Sequence, residues 1–522
     1  MLLTALLSAP AVNAQQPYAE PSKAEAIASL EAAEAAFAPD PQEPSTEPLA
    51  ATEQVDPTVA LNQLAASYSA LERADRRRAR GLLARPTDGA ADQYGDGYPT
   101  GAPVASAESD HFCVHWVNEA SREDAPDLTD ANAIADGDGV PDFVEAILEI
   151  AEYSYSVEVA PGALGWEPPK RDATGCGADP AAHADIYLKQ LGLDGIFGYE
   201  SPDPDQGVIR SQHGYIVIDD DFTFAEYGYP DPLDPARVTL AHEFNHVLQQ
   251  NYDSFQESWM FESTATWAEN QVYPAIDDYL FYVGAFASKP SKPITDPNAA
   301  GMLRIYGAAV WNHWLDSGGG GYGVAVIRSA WERSDGAKPP DNAIAAYDLA
   351  IRKAGGRGFS REFAKFAAAT AEWRTSFGGF VDSDRYADVA RKGTLASGER
   401  RRASLDHAAY RLVDVEARAG ASIRLSVEVE RGVRSGIALV ARRGGKGSAR
   451  VTAKRRYLAN GGRSTVTLRS PGDYDRITAV LVNADGRVSG FDPVDGWVYG
   501  RDDASFRFEL SRPADPGSRA ER

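Results

Sequence analysis

The stretch Val238-Thr-Leu-Ala-His242-Glu243-Phe-Asn-His246-Val-Leu-Gln249 sets two imidazoles and a carboxylate in a His-Glu-x-x-His spacing. On a helix, residues four apart share a face about one turn from each other. Two neutral imidazoles so placed can grip one Zn²⁺ from the same side, and Glu243 then stands beside the ion, able to take a proton from an activated water. With 8 histidines in 522 residues, composition alone does not account for the string.

Two histidines are too few. Hydrolytic zinc sites use three protein ligands and leave one position for water. A metzincin would need Gly at 249 and His at 252, but the chain has Gln249 and Tyr252. The next segment, Glu257-Ser-Trp259-Met-Phe-Glu262-Ser-Thr-Ala265-Thr-Trp267-Ala-Glu269, reads as a second helix with Trp259, Ala265 and Trp267 for packing. Glu262 and Glu269 are seven apart and share a face, so either could reach the metal.

Trp259-x-x-Glu262-x-x-Ala265 resembles the gluzincin pattern, in which a glutamate on a following helix completes the zinc site. More narrowly, His-Glu-Phe-x-His-x-x-Gln followed by Trp-x-x-Glu-x-x-Ala-x-Trp-x-Glu resembles a group of secreted bacterial metalloproteases. The likeness runs over about residues 85 to 380 and includes Asp138-Gly-Val-Pro-Asp142 and Val272-Tyr-Pro…Asp278-Tyr. The gap from His246 to Glu262 is a few residues shorter than in thermolysin-like or aminopeptidase gluzincins. The resemblance implies an α+β zincin-like metalloprotease domain: a mixed sheet, an active-site helix and a helical C-terminal lobe. It implies a secreted zinc endopeptidase acting on protein or peptide, with Glu262 as third ligand and Glu269 as an outer partner. It also implies a Tyr or His from the later lobe over the metal, to stabilise an oxyanion. Tyr306 and His313, seven apart, are the candidates, and Tyr306 is favoured.

Elements must position these groups. Val238, Leu240, Ala241, Phe244, Val247 and Leu248 make the His-Glu-x-x-His helix a buried one, with Asp234 as its N-cap and Pro235 as its first residue. Alternation at 110–117, 184–189 and 214–219 reads as strands. In zincins a sheet-edge strand above the zinc helix pairs with an extended substrate, and 214–219 or its sheet neighbour is the candidate. Helices are expected over about 141–159, 276–286, 306–315, 324–331, 343–353 and 360–373. From about 396, short alternating runs separated by Gly-rich turns predict an all-β, sandwich-like accessory domain.

Other clusters carry weaker chemistry. Asp136, Asp138, Gly139, Asp142 and Glu145 fit positions 3, 5, 6, 9 and 12 of a calcium loop, but Ile134 stands where the first acid belongs, so the loop is not an intact EF-hand. Asp136, Asp138, Asp142 and Glu145 are the possible Ca²⁺ ligands, with Asp130 or Asn132 supplying a missing oxygen. His111, Cys113 and His115 share one strand face and read as structural residues. Cys113 and Cys176, the two cysteines, could pair in an exported protein.

Composition bounds the rest. A 43% hydrophobic and 10% aromatic chain can bury large cores. A net charge of −24 argues against non-specific nucleic-acid binding. The charge is uneven: from Arg391 onward there are 26 Lys+Arg and 16 Asp+Glu, so an acidic surface could hold the basic tail domain. No apolar run reaches 18 residues, so no membrane span is expected. Residues 1–14 resemble a signal peptide ending at Val12-x-Ala14, and 15–95 read as disordered or pro-segment with one helix at about 60–83. The protease domain is assigned to 96–392, the β domain to 396–512 and a disordered tail to 513–522. Two other readings compete: an extracellular binding protein on a catalytically inactive zincin scaffold, and a zinc hydrolase of a non-peptide substrate.

Overall fold

Phe112, Val114 and Trp116 point one way from their strand and Cys113, His115 and Val117 the other, and both rows are apolar or well covered. A strand buried on both faces needs a layer above and a layer below. The computed structural model describes residues 22–37, 56–89, 97–126, 139–171, 176–177, 179, 182–203, 211–223, 227–297, 303–334, 342–416, 420–445, 449–492 and 496–512. The proposed signal peptide (1–14), Asp130, Asn132, Asp136, Asp138 and the tail 513–522 lie outside them.

The helices are α1 (Lys23–Ala36), α2 (Pro57–Ser67), α3 (Arg73–Leu82), α4 (Asp142–Glu158), α5 (Leu233–Gln250), α6 (Ser258–Val272), α7 (Leu280–Ser288), α8 (Leu303–Gly307), α9 (Ala309–Asp316), α10 (Ala325–Trp331), α11 (Ala343–Lys353) and α12 (Phe359–Ala369). The first sheet uses β1 (Val104–Glu108), β2 (Phe112–Val117), β3 (Ala184–Lys189), β4 (Gly198–Pro202) and β5 (Gly214–Asp219), in the order β1-β2-β3-β5-β4. β2, β3 and β5 run parallel, and β1 and β4 flank them antiparallel. The edge strand on the α5 side is therefore β4, the sheet neighbour of 214–219.

One face of this sheet carries Phe112, Val114, Trp116, Ile186, Leu188, Ile216 and Ile218, which pack on α4 and α5. The opposite face carries Val117, Tyr187, Tyr199, Tyr215 and Val217, and the N-terminal helices cover it through Leu30, Leu61, Leu64 and Leu82. So the stretch 23–36, read from sequence as disordered, forms α1. Its inward face is Ala26, Leu30, Ala33 and Ala36. Small side chains bury little area each but let helices approach closely, and Ser22 and Glu25 cap the start in a reciprocal box. The single helix expected at 60–83 is two, broken by a 3₁₀ turn at Tyr68–Ala70. Cys113 and Cys176 are joined in a disulfide with Cα atoms 5.8 Å apart.

The C-terminal region is β-rich: β6 (Arg391–Leu395), β7 (Arg400–Leu405), β8 (Ala409–Val415), β9 (Ser422–Val429), β10 (Ser435–Arg443), β11 (Arg450–Leu458), β12 (Gly462–Arg469), β13 (Arg476–Asn483), β14 (Val488–Asp492), β15 (Gly496–Tyr499) and β16 (Ala504–Ser511). A five-stranded sheet β11-β10-β13-β8-β6 faces a four-stranded sheet β12-β9-β16-β7. Leu425, Val427, Leu439, Leu481, Phe506 and Phe508 fill the space between them. The outer side of the larger sheet is also apolar, and Tyr410, Leu412, Val440 and Val480 join the helical core. There α12 comes so close that a Cβ on Gly436 would stand 2.7 Å from the Ala364 methyl. Tyr499 Oη donates to Glu257 at 2.9 Å and accepts from Asn342 at 2.9 Å. Glu257 precedes the first residue of α6, so the β domain is tied to the start of a helix that carries candidate site residues. Among the described residues no helix is long and apolar enough to cross a membrane.

Candidate metal centre

α5 is buried on nearly every side, from Pro235 to Gln250, and both of its histidines lie inside. It begins at Leu233, two residues earlier than expected. Asp234 sits in its first turn and pairs with Arg237 at 2.7 Å instead of capping it. α6 packs against α5 and turns Glu262, fully buried, toward the imidazoles. Glu262 Oε2 lies 3.1 Å from His242 Nε2 and 3.5 Å from His246 Nε2. His242, His246 and Glu262 each offer one ligand atom, and these atoms lie within 4.8 Å of one another.

The other ring nitrogens are occupied. His242 Nδ1 is 3.3 Å from Glu269 Oε2, and His246 Nδ1 is 2.9 Å from Gln249 Oε1. Each imidazole therefore turns Nε2 to the shared point, and the partner on Nδ1 sets the tautomer that leaves Nε2 a lone pair. The second oxygen of Glu262 is buried and has no hydrogen-bond partner, and neither has His246 Nε2. Two imidazole nitrogens and one carboxylate, in part unsatisfied and converging, fit a divalent metal ion.

Electrostatics agrees with a site built around a cation. Burial raises the Glu243 carboxyl to about 7, against the nearby histidines. Burial also raises Glu269 to about 8, Glu200 to about 7 and Glu158 to about 8. Glu262 differs: burial pushes it up, but His246 and His242 outweigh burial and hold it at about 2. Burial opposes charge on His242, yet its hydrogen bonds to Glu262 and Glu269 raise it well above the usual imidazole value. His246 is raised to about 9, with Glu262 outweighing burial.

Tyr306 reaches this site. Its ring stacks on His242 with centroids 5.6 Å apart. His313 does not, because the chain breaks between α8 and α9 and the two residues do not share one helix face. His313 is buried against Tyr279 at 4.7 Å, and burial holds it at about 3. The helix expected from 276 begins only at Leu280, after turns in which Asp277 takes a positive φ of 58°.

Sequence reasoning missed two groups of residues here. Glu158 Oε2 accepts from Asn245 at 2.7 Å, and Asn245 Oδ1 accepts from Gln249 at 2.7 Å, which continues to His246. Nothing local marks that chain, since Glu158 is 87 residues from Asn245. The second group is Asp56 and Thr58. Asp56 caps α2, accepting from Val59 N at 2.9 Å, and its other oxygen accepts from the Tyr306 hydroxyl. Loss of water and the nearby Glu262 push its carboxyl up to about 6. Thr58 Oγ1 donates to Glu243 Oε2 at 3.3 Å. Asp56-Pro57 is a helix-start signal that could have been read, but no signal linked it to the site.

Of the other clusters, His111 pairs with Glu152 at 2.8 Å and His115 with Asp185 at 2.9 Å, while Cys113 is in the disulfide and offers no thiolate. Asp142 and Glu145 both lie in the first turn of α4. Asp219, Asp220 and Asp221 are close together, but both oxygens of Asp219 accept backbone amides, from Leu191, Gly192 and Phe222.

No protein-family model matches the chain, and no curated protein matches it. Among solved structures, the pre-peptidase C-terminal domain of collagenase from Bacillus anthracis is similar at 8% identity, covering 23% of this chain and 97% of that one, with a TM-score of 0.16.

Proposed function

We propose that this chain is a zinc-dependent endopeptidase on a zincin-like scaffold. The observation that carries the reading is the convergence of His242 Nε2, His246 Nε2 and the Glu262 carboxylate on one buried point, with Glu243 beside it. These three residues would hold Zn²⁺, which when bound supplies Lewis-acid polarisation of a carbonyl and makes water acidic near neutral pH. Glu243, whose buried carboxyl is raised to about 7, would accept the proton of the attacking water and pass it to the leaving amine. The Tyr306 hydroxyl would donate to the oxygen on which negative charge develops. β4 ends the sheet, and its outward backbone groups would pair with an extended peptide. Glu269 and Gln249 orient the two imidazoles.

Export fits the Cys113–Cys176 disulfide, which persists in oxidising compartments. A Ca²⁺ ion at the start of α4, held in part by Asp142 and Glu145, belongs to the same reading. The test is hydrolysis of casein and of a fluorogenic peptide by zinc-loaded protein, with and without chelator, beside Glu243→Gln. Chelator-sensitive cleavage that Glu243→Gln abolishes, with zinc still bound, is the expected result. Cleavage retained by Glu243→Gln removes that residue from the mechanism. Zinc binding with no cleavage of any peptide turns the reading toward a non-catalytic binding protein or a hydrolase of another substrate.

A further inference from the structure

We propose that the first turn of α2 is a built-in plug of the substrate cleft that keeps the enzyme latent until it is displaced; this rests on the peptidase reading above. Three groups at the site would face a substrate: the proton-accepting carboxylate, the oxyanion donor and the outward amides of the edge strand. The first turn of α2 engages all three. The Thr58 hydroxyl donates to Glu243 Oε2 at 3.3 Å and accepts from Glu200 N at 3.0 Å. That amide belongs to β4, whose one partner strand among the described residues is β5, so it points to the outer side of the edge, where a substrate carbonyl would dock. The Asp56 carboxylate takes the Tyr306 hydroxyl, and so lies where a developing oxyanion would need that donor. One turn on, Asn62 donates to Glu200 Oε2 at 3.2 Å and accepts from Gln250 of α5 at 2.5 Å.

The segment is not a loose chain end resting in a groove. Leu61 and Leu64 are fully buried against the sheet. Beyond α3, the Tyr215 hydroxyl is within hydrogen-bond reach of the carbonyls of Leu83 and Ala84, at 3.2 and 3.0 Å. Arg85 makes a buried ion pair with Asp203. A single hydroxyl that both accepts from an edge amide and donates to the proton acceptor occupies the places of a peptide carbonyl and of the attacking water together. A peptide cannot pair with β4 at Glu200 while Thr58 holds that amide.

The test compares full-length, zinc-loaded wild type with Asp56→Asn/Thr58→Val. Asn caps a helix as well as Asp and Val keeps the shape of Thr, so α2 should persist, which circular dichroism checks. The readouts are kcat/KM on a fluorogenic peptide, the affinity of a peptide hydroxamate by calorimetry, and hydrogen exchange of the segment 198–202. The expected result is a rise of at least tenfold in both kcat/KM and hydroxamate affinity, with faster exchange at Glu200. Unchanged values, with hydrolysis present and lost in Glu243→Gln, overturn the plug and leave the peptidase. A fall in kcat/KM makes Asp56 and Thr58 working parts of the site and also overturns it. No hydrolysis and no hydroxamate binding by either protein overturns both readings.

Discussion

His246 donates from Nδ1 to Gln249 Oε1 across 2.9 Å, three residues farther along the same helix. The amide cannot turn over, because Gln249 Nε2 faces the Asn245 side-chain oxygen at 2.7 Å and the Phe261 carbonyl at 3.1 Å. The tautomer of His246 is thus imposed from a fully buried glutamine. Gln249→Leu should weaken zinc binding about 10- to 100-fold, as loss of an outer partner of a metal-bound histidine does. Competition against a chelator of known affinity measures it. An unchanged affinity would mean that His246 is held by packing alone.

Glu262 and Glu269 share a helix face but play different parts. Glu262 meets both Nε2 atoms, whereas Glu269 meets Nδ1 of His242. Glu262→Ala should abolish stoichiometric zinc, while Glu269→Ala should keep it with an affinity lowered about 10- to 100-fold. Metal content after dialysis separates the two. Equal losses, or the reverse order, would reassign the third ligand.

Tyr306→Phe removes a hydroxyl without changing the ring that stacks on His242. Loss of one oxyanion donor costs about 10²–10³ in kcat, so a fall of that size is expected with zinc content intact and KM little moved. His313→Gln is the contrast. His313 lies away from the site against Tyr279, so its replacement should lower the melting temperature and leave kcat near wild type.

The pH dependence of stability should show Glu158. Burial raises its carboxyl from 4.5 to about 8, so the folded state keeps a proton that the unfolded chain has released. Stability is then full below pH about 4.5 and falls as pH rises toward 8, by at most about 1.4 kcal/mol per pH unit for this group. Glu158→Gln keeps an acceptor for Asn245 and cannot ionise. Denaturant melts of chelator-treated protein between pH 5 and 8 should find the variant gaining on wild type as pH rises. A constant difference would show that Glu158 does not carry a proton in the folded state.

Much of the site was legible because its signals are local. The i, i+4 histidines, the apolar stripe of α5 and the tryptophan-lined helix bearing Glu262 all follow from residues within one or two helical turns. The β domain was legible for the same reason, since Ser422–Val429 and Ala504–Ser511 alternate residue by residue. Where reading failed, the cause was also physical. The alanine face of α1 has low hydrophobicity and looks like a linker until other helices close on it. The start of α5 and the break between α8 and α9 depend on packing that propensity does not encode.

The sequence by itself determined that two imidazoles and Glu243 share a helix, because helical periodicity is a property of the chain alone. It also determined that a glutamate follows within reach. Only the tertiary structure decided that Glu262 meets both Nε2 atoms and that β4 forms the edge. It alone brought Thr58 to Glu243 across 185 positions. Such contacts are chosen by which faces bury together, and burial is settled between elements, not within them.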